Sequence, residues 1–144
     1  MQDLPHHYVV IASAGPLGEV EIDADAVETI ISAAPAEFGG PGNRWSPESL
    51  LVASVADCFI LTFRTISRAS KLDWVSLQCE ANGTLDKVDG ATRFTRFDIR
   101  ATLEVSDGAT VDKARRIREK AEQNCLITNS LSAPSHLDAD VVVR

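Results

Sequence analysis

Three thiols, at Cys58, Cys79 and Cys125, are the side chains of this 144-residue chain best suited to chemistry. An odd number of cysteines with no CxxC pair does not describe a disulfide framework. The histidines give no zinc spacing either, since His6 and His7 are adjacent and His136 is far away. What remains is redox or nucleophilic chemistry in a reducing compartment, and both need the thiolate. Free cysteine titrates near ~8.5, and burial in apolar surroundings raises that value. Cys58 lies in an apolar helical stretch with Ala56 and Phe59, far from the helix start, so its ionisation calls for a nearby cation. The plain alternative is packing, because buried cysteines are common and inert. Packing is the expectation for Cys79, which alternates with Val75 and Leu77 on one face of a predicted strand.

The elements that must position these thiols are legible in the pattern. Tyr8–Ala14 and Glu19–Asp23 read as a hairpin around Gly15-Pro16-Leu17-Gly18. A loop rich in glycine and proline follows, through Phe38-Gly39-Gly40-Pro41-Gly42. Ser46 then fits a helix N-cap, Pro47 the first helical position, and Glu48 the first turn, where the helix dipole favours a carboxylate without any catalytic reason. This helix should reach Ala69, and its apolar residues cover nearly every face, so it should be enclosed by sheet on one side and by another helix or a partner chain on the other. Trp74–Ala81 and Arg93–Val105 read as strands joined through the turn pair Asp89-Gly90. From Thr110, residues Val111, Ala114, Ile117, Ala121 and Cys125 form one apolar stripe, with Arg115, Arg116, Arg118, Glu119 and Glu122 on the solvated face. His136–Val143 is the last strand. The expected architecture is α+β, one domain over 1–144, an antiparallel sheet wrapped around two helices in the order β-β-α-β-β-α-β.

Composition narrows the function. Apolar residues at 44% and charged residues at 24% describe an ordinary globular chain. A net charge of −7 argues against nucleic acid and against an anionic membrane surface as partners. The longest apolar run, Leu50–Phe63, is interrupted by Asp57 and Thr62 and falls short of the about 20 residues of a membrane span. MQDLPHHYVV carries no secretory pattern, which predicts a cytoplasmic protein.

Two blocks carry a family resemblance. Phe38-Gly39-Gly40 leads to Trp45-Ser46-Pro47-Glu48, with Cys58 ten residues after the glutamate, and Asn124-Cys125-Leu126-Ile127-Thr128-Asn129 closes the second helix. Together they resemble the OsmC/Ohr family, and the element order matches over almost the whole chain. The resemblance implies an intertwined homodimer that reduces peroxides, organic hydroperoxides above all and hydrogen peroxide besides, and is recycled by dithiols such as lipoyl groups; it implies no metal, flavin or haem. By the same resemblance Cys58 is the peroxidatic cysteine, Cys125 the resolving one, and Glu48 the carboxylate that holds a catalytic arginine.

In the peroxidase branch that arginine sits in a Gly-Arg turn of the hairpin. Here the turn has none, and Arg44, the first arginine in the chain, is left to supply the guanidinium or to be a solvated loop residue. Ten helical residues rise about 15 Å, so Glu48 cannot reach Cys58 along one straight helix. Antiparallel packing against a symmetry mate brings the two together from different copies, which predicts an active site at a dimer interface. Arg64 and Arg68 fall off the three-or-four spacing from Cys58 and read as a polar edge. Phe38, Trp45 and Phe59 are candidates for an apolar pocket or for core, and His136 for a surface or turn position. Two rival readings stand beside the peroxidase: a redox-sensing or ligand-binding protein of the same fold, and a structural dimer whose cysteines only pack.

Overall fold

Alternation of Val20 and Ile22 with charged neighbours gives β2 (Val20–Asp23), which pairs antiparallel with β1 (Ile11–Ser13) as the hairpin pattern predicts. The computed structural model describes Met1–Arg144 and adds β3 (Ile30–Ser32), pairing antiparallel with β2 to complete a three-stranded sheet β1-β2-β3. A three-residue strand is too short for alternation to reveal. The chain divides into two compact units, Met1–Leu50 and Leu51–Arg144.

The first unit explains the Gly-Gly block. Gly39 has φ of 82°, a left-handed conformation that closes the short 3-10 turn Ala36–Phe38. A Cβ on Gly40 would run into the carbonyl of Ala34. The helix start is capped as predicted: the Ser49 amide donates to Ser46 Oγ at 3.1 Å, and the Ser46 amide donates back to Ser49 Oγ at 2.8 Å. This is a capping box with serine in the reciprocal position.

Helix α1 (Pro47–Ala69) then runs into the second unit, which holds β4 (Ser76–Val88), β5 (Ala91–Val105), α2 (Val111–Gln123), the short α3 (Leu126–Asn129) and β6 (Ser135–Val143). Asp89 and Gly90, with φ of 51° and 81°, make the tight turn between β4 and β5. The sheet order is β4-β5-β6. The expected all-antiparallel sheet is corrected here, because β6 runs parallel to β5. α2 and α3 carry the chain back along the sheet, so β6 begins beside Phe97 and ends beside Val105.

Two apolar clusters hold this unit. One joins Phe59 and Phe63 of α1 to Ala101, Leu103 and Val105 of β5 and to Ala114, Ile117 and Ala121 of α2. The other centres on Val55, Phe97 and Ile99, with Ile127 and Leu131 packed against it. Gly83 allows α1 to approach β4, since a Cβ there would come within 2.8 Å of both Val52 and Phe94. By length and composition α1, at 23 residues, is sufficient to cross a membrane, which the broken run Leu50–Phe63 did not suggest. It packs instead on the sheet through Val55, Phe59, Phe63 and Ser67. Only 17% of its most apolar stretch is buried by this one chain.

Candidate thiol redox site

Cys58 projects from the middle of α1, partly buried, with its Sγ 3.8 Å from Thr62 Oγ1 one turn further on. Its other neighbours come from the end of the α2–α3 segment. The Ile127 backbone N–H and the Cys125 thiol lie near enough to the sulfur to bear on its ionisation. Cys125 is 1% exposed. The sequence placed it on the α2 stripe, but α2 stops at Gln123. The Asn124 side chain closes the last turn by donating to the Lys120 carbonyl at 2.8 Å. Cys125 then turns extended, with φ of −67° and ψ of 106°, as the N-cap of α3. The structure thus brings together the two cysteines that lie sixty-seven residues apart, and all three cysteines are free thiols.

The electrostatics of the pair are set mainly by burial. Desolvation raises the Cys58 pKa above the usual thiol value, and the Cys125 thiol pushes it the same way, while the Ile127 amide and the Thr62 hydroxyl pull it down. No lysine or arginine contributes to lowering it. Cys79 sits where the strand pattern put it, packed against both apolar clusters, and burial with the nearby Cys125 pushes its thiol up to about 11. A thiol so protonated is a poor nucleophile.

The other candidates fall as follows. Arg44 makes an ion pair with Glu19, Nε to Oε1 at 2.9 Å, with both side chains nearly half exposed. Glu48 stands in the first turn of α1 with Oε2 buried and without a hydrogen-bond partner. Trp45 and Arg44 line an open groove of about 600 Å³ with Thr29, Ile31, Asn43 and Ser49. Phe38 is exposed, and Phe59 is fully buried in the core, which removes it as a pocket residue. Arg64 and Arg68 are exposed, as a polar edge should be, and His136 lies exposed on β6.

Arg118 departs from its predicted solvated face. It is partly buried, donates from Nη1 to the Ala139 carbonyl at 2.8 Å, and leaves Nε without a partner. The residues that sequence reasoning missed at the sulfur are Thr62 and Ile127. The first was available from its spacing of four along the helix. The second is a backbone donor placed by tertiary packing, with no signal in the side-chain pattern.

The fold and the paired cysteines define a known class. The OsmC-like protein family matches residues 40–140, and the chain belongs to that family. Among curated relatives it is 26% identical to the uncharacterised protein YmaD of Bacillus subtilis, over 96% of this chain and 95% of that one. Among solved structures it resembles an OsmC-like protein of unknown function from Vibrio cholerae, with a TM-score of 0.83, 18% identity and coverage of 96% and 100% of the two chains. A second, named an organic hydroperoxide resistance protein, from Elizabethkingia anophelis, aligns with a TM-score of 0.78 at 18% identity, over 99% of this chain and all of the other.

Proposed function

We propose that this protein is a cysteine-based peroxidase for organic hydroperoxides, acting as a cytoplasmic homodimer. The observation that carries the reading is the meeting of the Cys58 and Cys125 thiols beside the Ile127 backbone amide. Family membership and the likeness to a protein named for organic hydroperoxide resistance support it. The Cys58 thiolate attacks one oxygen of the hydroperoxide. The O–O bond breaks, the alcohol leaves with a proton, and Cys58 becomes a sulfenic acid. Cys125 then attacks that sulfur, a disulfide forms and water departs. An external dithiol, such as a reduced lipoyl group, restores both thiols by exchange. The apolar setting of Cys58 favours alkyl hydroperoxides over hydrogen peroxide.

The raised Cys58 pKa means that one chain alone activates the thiol poorly. A second copy is the natural source of the missing charge. The largely uncovered apolar surface of α1 supports such a copy, and the orphaned Oε2 of Glu48 supports a role in holding a cation once the dimer assembles. Mixing Glu48→Ala and Cys58→Ser chains tests the shared site, because a heterodimer keeps one site free of both changes and regains activity. Failure to regain any counts against sharing.

The main test is turnover of cumene hydroperoxide with reduced lipoamide. Wild type should consume both. Cys58→Ser should fall to the uncatalysed rate, and Cys125→Ser should accumulate a trappable sulfenic acid on Cys58. The lack of any lysine or arginine contribution at Cys58 favours one second reading, a redox sensor oxidised once per peroxide pulse. A single stoichiometric oxidation without dithiol-dependent turnover would select that reading instead.

A further inference from the structure

The hydroxyls of α1 divide into two kinds. Ser54 donates to the Leu51 carbonyl at 2.6 Å, Thr65 to the Leu61 carbonyl at 3.1 Å and Ser67 to the Phe63 carbonyl at 2.7 Å. Each turns back on the preceding turn, as helical serine and threonine side chains commonly do. Thr62 is the exception. Its hydroxyl is directed at the Cys58 sulfur, at 3.8 Å.

We propose that Thr62 is a catalytic residue whose hydroxyl donates a hydrogen bond to the Cys58 thiolate. The inference rests on reading Cys58 as the peroxidatic thiol. While sulfur carries its proton, either atom can be the donor. Once the proton leaves, only the hydroxyl can donate, and a hydrogen bond to an anion is stronger than one between neutral groups. The contact therefore favours the ionised form selectively. The amide of Ile127 also favours the ionised form. The β-branch of threonine leaves its hydroxyl fewer χ1 choices in a helix than serine has.

The kinetic consequence has a distinctive form. Losing the donor should raise the Cys58 midpoint by about one pH unit, which is tenfold in thiolate fraction at neutral pH. Nucleophilicity rises with pKa, with a Brønsted slope of about 0.4–0.5, so each remaining thiolate reacts roughly threefold faster. The net change is a loss of about threefold near pH 7 and a gain of about threefold above the midpoint. The two pH–rate curves must cross. Loss of packing alone would move a rate without producing a crossing.

The experiment is peptide-resolved alkylation of Cys58 across pH in the full-length protein, for wild type, Thr62→Val and Thr62→Ser, with cumene hydroperoxide oxidation of Cys58 followed in parallel. Thr62→Val should raise the midpoint and cross the wild-type curve, and Thr62→Ser should return most of the way. An unmoved midpoint in Thr62→Val, or a Thr62→Ser curve that matches it, overturns the inference. If Thr62→Val does not fold, Thr62→Ala takes its place against Thr62→Ser with the same two outcomes. The parallel arm separates the two proposals. Normal peroxide oxidation with unmoved midpoints removes Thr62 and keeps the peroxidase. Shifted, crossing curves in a protein whose Cys58 ignores hydroperoxide keep the hydroxyl's role at the sulfur and remove the peroxidase.

Discussion

The two compact units of this chain differ sharply in what they bury. Met1–Leu50 fully encloses only Ser32, Ala33 and Ser46, while Tyr8, Val9, Val10, Ile11, Val27 and Ile30 stay exposed. Leu51–Arg144 contains both apolar clusters and the cysteine pair. The difference teaches where precision is needed. The Cys58 and Cys125 sulfurs are held near each other by close-packed α1, β5 and the α2–α3 segment, an interior in which small displacements are resisted. The first unit presents an exposed apolar strand, an open groove and an ion pair at its surface. In the proposed homodimer that exposed apolar surface is what a second copy would cover.

The largest expected effect sharpens this contrast. Phe63→Ala, in the main cluster, should cost about 3–5 kcal/mol in urea unfolding. Ile30→Ala, at 38% exposure, should cost under about 0.5 kcal/mol in dilute protein. It should cost more as protein concentration rises if association covers it. Equal losses at every concentration would break the contrast.

Cys79 gives a middling, pH-dependent effect within the packed unit. Folded, its thiol holds a proton up to about 11, and unfolded it reverts to its ordinary 9.0. The unfolded chain thus binds fewer protons across that window. The stability contributed by this thiol is full below pH 9 and declines as pH rises towards 11. Cys79→Ala should flatten that part of the decline, and a thermal-melt series over pH 8–11 reads it.

The smallest effect belongs to the first unit. Arg44→Ala removes an exposed pair with Glu19 and should cost about 0.2–1 kcal/mol at low salt and less at high salt. A larger loss would mean that Arg44 serves more than this surface contact.

How much of this was legible beforehand follows physical lines. Ser46-Pro47, Asp89-Gly90 and the alternation through Leu77, Cys79 and Ala81 announce their conformations because capping, turn sterics and pleating act over a few residues. The cysteine pair was legible only through its motif setting, since nothing local to Cys58 or Cys125 states that they meet. The direction of β6 was hidden for the same reason: strand orientation depends on where a crossover delivers the chain, and its own residues read alike either way. Ile30–Ser32 failed on length, and Arg118 failed because an arginine can cover a sheet edge with its stem while its spacing still looks solvated.

The parallel return of β6 has a consequence during synthesis. Cys125 belongs to the crossover, which is anchored at its far end only when Ser135–Val143 pairs beside β5. Cys58 leaves the ribosome sixty-seven residues ahead of its partner. In the proposed peroxidase a nascent chain therefore carries Cys58, with Cys79, before Cys125 exists, and an oxidant that reaches Cys58 then leaves a sulfenic acid without its resolving thiol. Oxidative stress should damage newly made molecules of this protein before mature ones.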